Sequence, residues 1–258
     1  MSANYSMLYD LTLKDKEVVV TWLVGIAFST LCILAQLLIY IFCPGSRRIV
    51  QNILTQLSLA RLANTIVEFL TADKCLINSK SIDVIILTAL YLQTDAVLVC
   101  WMFCYTKYMY NKIVQVFNVE EWRLLRLSLA IWFGTLPLGL LYPLTVKINV
   151  LTFETFQKIY GGIKFGVLLM NLFLFCKIFY VIAIQSRETG RNFKRIIKSC
   201  VISFLLVCIT SLQVAVTDFI SSSKNHTAAT CFGVINSYQV LAISILFVIL
   251  SKNSANAA

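Results

Sequence analysis

The stretch IDVIILTALYLQTDAVLVCWMFCYTKYMY, Ile82 to Tyr110, decides the fold. Between Asp83 and Lys107 its one charged residue is Asp95. A helix of about 20 apolar residues crosses the hydrocarbon layer of a bilayer, and a run this long and continuous does not fit a barrel strand. Comparable runs lie on both sides, so spans are predicted at roughly 18–42, 50–72, 82–110, 124–146, 159–184, 197–220 and 232–250. The connections of about 7 to 15 residues leave no room for a soluble domain. The expected fold class is an all-α membrane protein, a seven-transmembrane helix bundle.

Composition agrees with that reading. The chain is 59% hydrophobic and 13% charged, with mean hydropathy +0.82, three prolines and nine glycines. Its formal charge of +10 raises the question of nucleic acid. The basic residues, however, fall between the apolar runs instead of clustering on one soluble face, which membrane topology explains better. Most cysteines lie inside apolar runs, where a thiol behaves as a small hydrophobe, and no metal-type pair-and-pair spacing occurs. The first run begins near Val18 without a basic leader or a small-residue cleavage site, so it is expected to be a span acting as its own signal anchor.

The eight arginines set the direction. Arg47 and Arg48 fall in the first connection, Arg123 and Arg126 in the third, Arg187, Arg191 and Arg195 in the fifth, and Arg61 within the second span. In the N-terminus and the even connections, acidic residues offset the lysines. The odd connections are therefore expected to be cytoplasmic and the N-terminus extracellular. Both sequons, Asn4-Tyr5-Ser6 and Asn225-His226-Thr227, fall on the extracellular side, which makes Asn4 and Asn225 candidate glycosylation sites. The expected organisation is an extracellular segment at 1–17, the helical domain at 18–250 and a cytoplasmic tail at 251–258.

Three classes share such a topology. A retinal protein needs a lysine within the last span, and VINSYQVLAISILFVIL has none. A sugar-efflux transporter would show two similar three-helix halves and helices broken by glycine or proline, and neither is evident. A G-protein-coupled receptor is left. The run VLVCWMFCYTKYMYNKIVQVF resembles the third helix of the class B receptors, the secretin and adhesion families, through Cys100, Trp101, Met102, Tyr108, Tyr110, Val114, Val116 and Phe117. QNILTQLSLARLANTIVEFL is similar to their second helix. RLLRLSLAIWFGTLPLGLL is similar to the fourth, with Trp132, Gly134 and Pro137 at its motif positions. IKFGVLLMNLFLFCKIFYVI resembles the fifth around Asn171, and CFGVINSYQVLAISILFVILSKN resembles the seventh.

The departures are as informative. Tyr105 stands where the family keeps a glutamate, Leu54 at the second-helix histidine, Thr210-Ser211 at the sixth-helix Thr-Trp of the adhesion group, and Val240 at a seventh-helix glycine. The family's cysteine of the second extracellular loop has no counterpart in KINVLTFETFQK. Cys75 and Cys231 are the cysteines placed outside. A bridge between the outer ends of helices two and seven and a free pair stand as alternatives for them. The N-terminal segment of about 17 residues fits neither a hormone-capturing ectodomain nor a self-cleaving one.

Charges inside a membrane default to functional hypotheses. Arg61 and Asp95 both lie near mid-depth, on the second and third spans, and an Arg61–Asp95 pair would satisfy both. Glu68 lies two turns from Arg61 on a similar face and, with Arg61, Asp95 and Gln239, makes up the candidate ligand cavity. A static structural pair is the competing reading. Trp101 and Met102 are expected to pack against neighbouring helices, Trp132 to pack or to face lipid, and Cys100 and Cys104 to be buried thiols. Asn171, Asn236 and Gln239 are suited to interhelical hydrogen bonds. The resemblance adds that such groups, with Trp101, Tyr105 and Trp132, belong to a switching set.

The cytoplasmic set is Arg47, Arg48, Lys107, Lys112, Arg123, Arg126, Arg191, Lys194, Arg195 and Lys198. Positive-inside topology alone demands such charges. The resemblance implies that they contact a heterotrimeric G protein when the sixth helix moves, with Val116 and Phe117 as an apolar knob. With one histidine, no paired acid–base carboxylates and no nucleophile motif, an enzyme is not expected, and no cofactor or metal is implied. The expected protein is a multi-pass plasma-membrane receptor whose partners are membrane lipid, a G protein and an unidentified ligand. The alternative is a reduced or decoupled seven-helix protein that works by partner binding.

Overall fold

The computed structural model describes residues 16–42, 49–77, 82–111, 124–148 and 153–185, together with 240, 241, 243–245 and 248. The helices are α1 (Lys16–Phe42), α2 (Ile49–Ile77), α3 (Ile82–Tyr110), α4 (Leu124–Gly134), α5 (Leu136–Ile148) and α6 (Phe153–Gln185). Among the described residues there is no strand, and those near the C-terminus are helical as well. At 1.5 Å per residue the 29-residue α2 and α3 are about 43 Å long. Two segments among the described residues, Ile85–Tyr110 and Lys158–Val181, are long and apolar enough to cross a membrane. Leu23–Ile39 and Leu125–Leu141 are shorter apolar stretches.

Helices cover the stretches expected at 18–42, 50–72, 82–110 and 159–184, with α2 and α6 running several residues further. The fourth expected span, 124–146, is instead two helices hinged at Thr135. Pro137 has no N–H to offer the carbonyl four residues back, so the ladder shifts. Thr135 N still bonds to Ile131 O at 3.2 Å, but Leu138 N turns to Thr135 O at 3.1 Å, a tighter i to i−3 bond. The Thr135 hydroxyl steadies the break by donating to Ile131 O at 2.9 Å. The spans expected at 197–220 and, apart from the few helical residues named, 232–250 lie outside the described residues.

α3 is the central element. It packs along α2 on one side and against α5 and α6 on the others, while α1 lies on α2. Its inward residues Val97, Leu98, Trp101, Met102 and Tyr105 join Ile53, Leu54 and Leu57 of α2, Leu168, Phe175 and Ile178 of α6, and Ile243 in one buried cluster. On the α5 side the approach is close. A Cβ at Gly139 would sit 2.9 Å from the Ala89 carbonyl oxygen and 3.2 Å from Gln93 Cβ, so only glycine allows this contact. α1 is tied to the C-terminal segment by the Gln36 amide, which donates to Ser244 Oγ at 2.6 Å.

Beside this apolar cluster, the distribution of side chains on the outer faces is unlike the one water imposes. Gln36, Ser58, Arg61, Asn64, Asp95, Lys164 and Asn171 are buried, while Phe28, Leu31, Leu34, Leu38, Phe165, Leu169, Leu172 and Phe173 are exposed on α1 and α6. The polar groups face helix–helix contacts and the large apolar ones face outward.

Candidate functional site

The polar interior is built on one turn of α3. Asp95 is held from α6 by two groups one helical turn apart. Lys164 Nζ lies 2.8 Å from Asp95 Oδ2, and the Tyr160 hydroxyl donates to the same oxygen at 2.8 Å. The Lys164 ammonium also lies 5.3 Å from the centroid of the Tyr160 ring. Both charged side chains are almost fully enclosed, at 7% and 4% exposure. The Tyr160 hydroxyl also lies 3.3 Å from the Leu92 carbonyl. The contacts Tyr160–Leu92 and Lys164–Asp95 advance together along both helices, so α3 and α6 run in the same direction.

From the other side, α2 presents Arg61, Asn64, Thr65 and Glu68, whose i, i+3, i+4 and i+7 spacing puts them on one face. Arg61 Nη1 donates to Asn64 Oδ1 at 3.3 Å, and Asn64 Nδ2 donates to Thr94 Oγ1 at 3.3 Å. The Thr94 hydroxyl lies 2.9 Å from the Leu90 carbonyl and 3.1 Å from that of Tyr91. The guanidinium is thus tethered through one amide to the residue before Asp95. Glu68, Tyr91 and Asp95 are within electrostatic reach of Arg61, and Lys164 is within that of Glu68.

The Arg61–Asp95 ion pair expected from depth is not formed. The cation on Asp95 is Lys164, because the parallel packing of α6 on α3 brings its stem to that level, while Arg61 bonds within its own helix. Sequence reasoning passed over Lys164 and Tyr160. The available signal was a lone charge between Lys158 and Lys177 in an apolar run, with a tyrosine four residues earlier.

Other expected site residues take structural positions. Trp101, Met102 and Tyr105 are fully buried in the central cluster. Trp132 is half-buried and does not face outward alone: its indole N–H donates to Gln56 Oε1 on α2 at 3.1 Å, and Gln93 Nε2 reaches its carbonyl at 3.5 Å. Asn171 is buried, yet neither amide atom has a partner among the described residues, so the expected interhelical bond is not seen there. Cys100 and Cys104 are free, partly buried thiols. Lys107 lies over the Tyr110 ring, 5.9 Å from its centroid, and Arg126 is exposed. Gln239, Asn236, Arg47, Arg48, Lys112, Val116, Phe117, Arg123, Arg191, Lys194, Arg195, Lys198, Asn4, Asn225, Cys231 and the Cys75 side chain lie outside the described residues.

The class that fold and site define is a helical bundle with an apolar exterior and a buried network of two cations and two carboxylates shared by three helices. No family model matches the chain, and no curated protein matches it.

Proposed function

We propose that the chain is a seven-helix receptor of the plasma membrane, of class B-like architecture, that passes an extracellular or intramembrane signal to a heterotrimeric G protein. Its exterior of leucine and phenylalanine suits lipid, and a charged network at such an interface is the kind of feature membrane proteins keep for function. The observation that carries the reading is the agreement of motif and packing on α3. Trp101, Met102 and Tyr108, three of the residues that match the class B third helix, are buried and form part of the central cluster. In this reading the N-terminus is outside, Asn4 and Asn225 carry glycans, and the basic residues with Val116 and Phe117 meet the G protein. Signal transmission is then a coupling free energy between an outer cavity and the inner face.

A specific observation favours a second reading, a decoupled protein that acts by binding partners. Tyr105 stands where the family has a glutamate, and it is fully buried in the central cluster. One experiment separates the two. Expression at the cell surface is expected to change cellular cAMP or calcium, and Phe117→Ala with Lys194→Ala is expected to abolish the change. Surface expression without any second-messenger response, and without a co-purifying G protein, overturns the receptor reading in favour of the decoupled one.

A further inference from the structure

Arg61 is bonded through one of its donors only. Nε and Nη2, which together form the side-on fork of the guanidinium, are buried and have no hydrogen-bond partner among the described residues. Two parallel N–H groups match the two oxygens of a carboxylate, and leaving them unmatched in an interior is costly. The carboxylates within electrostatic reach are Glu68 and Asp95. Glu68 is in turn within reach of Lys164. Two cations and two carboxylates can therefore pair in two ways, and the structure holds one of them: Asp95 on Lys164, with the Arg61 fork open.

We propose that Arg61, Glu68, Asp95 and Lys164 form a two-state ion-pair exchange, in which the Asp95 carboxylate passes from Lys164 to the open fork of Arg61 and Lys164 turns to Glu68. The exchange replaces a tie between α3 and α6 with a tie between α3 and α2. In the exchanged state each cation faces a carboxylate, so the exchange avoids the penalty of breaking a buried pair outright. The tether is already in place, since Arg61 is linked through Asn64 to Thr94, the neighbour of Asp95. Tyr160, which must release Asp95, has a second acceptor at hand in the Leu92 carbonyl, 3.3 Å away. Such an element has two discrete arrangements that a ligand or a helix movement can bias. It does not depend on coupling to a G protein.

The test is a set of thermal unfolding midpoints for the full chain in detergent micelles: wild type, Lys164→Met, Arg61→Met, both together, and the pair combined with Asp95→Asn. The exchange expects a small fall for Lys164→Met, because Arg61 takes up the stranded carboxylate. The double variant should fall further than the sum of its two singles, and adding Asp95→Asn should recover much of the loss. Additive losses, or a double variant no worse than Lys164→Met, overturn the proposal. Infrared difference spectra of Lys164→Met against Lys164→Met/Asp95→Asn supply a second readout. The Asp95 band should be that of an ionised carboxylate held by Arg61, and a protonated carbonyl band would contradict the exchange. Should Lys164→Met fail to fold while Lys164→Arg folds, Arg61 has not rescued Asp95 and the proposal is likewise overturned.

Discussion

Two successive stretches of α3 are held in place by different physics. Around Thr94 and Asp95 the neighbours are Asn64, Tyr160 and Lys164, and each contact depends on a particular charge or hydrogen-bond donor. From Val97 to Tyr105 the neighbours are Ile53, Leu54, Leu57, Leu168, Phe175 and Ile178, and contact depends on volume. In the apolar stretch any substitution should act in proportion to the atoms removed, and losses should add. In the polar stretch one change strands other groups, and a second change can undo the first. A helix that combines both is fixed rigidly along one part and conditionally along the other.

The largest single effect is expected at the charged turn. Asp95→Asn preserves shape but leaves Lys164 without its carboxylate beside Arg61, and breaking a buried pair in this way costs about 3–5 kcal/mol. Unfolding midpoints in detergent measure it. Next comes Leu57→Ala, a truncation at a fully buried position in the apolar cluster, with an expected loss of about 2–5 kcal/mol. If Leu57→Ala proves harmless, the apolar stretch is not the close-packed body described here. Smaller again is Gly139→Ala. The added methyl meets the Ala89 carbonyl, which as backbone cannot step aside, so α5 must back away from α3 at about 1–3 kcal/mol. The same unfolding assay reports it. A neutral result would mean that α5 does not sit this close to α3.

Much of the helical bundle is legible in the sequence because its helices are long, uniform apolar runs, and a run declares its own limits. The matches from α1 to α3 and at α6 rest on that. The break at Thr135 was less visible, because Pro137 removes one hydrogen bond and the surrounding helices decide whether a span bends or divides. Arg61, Glu68 and Asp95 stood out as charges in apolar surroundings, and the structure does gather them in one neighbourhood. Their pairing was not legible. The contact of Asp95 with Lys164 joins residues 69 positions apart and depends on which helix lies beside α3 and at what register. Depth along each span put Arg61 and Asp95 level with one another but carried no information about α6. Burial of Trp101 and Met102 was easier to foresee, since large apolar side chains on the central helix have little choice but to pack inward.

Asp95 and Lys164 hold α3 and α6 together as a charge pair in an apolar bundle. The most direct measurement compares the unfolding midpoint of Asp95→Asn with that of Asp95→Asn/Lys164→Met. Removing the lysine should raise the midpoint of the single variant back towards wild type, because two buried cations left with Glu68 alone are what destabilise it. A double variant less stable than Asp95→Asn alone would contradict the account, showing that the two side chains contribute separately and that no pair joins α3 to α6.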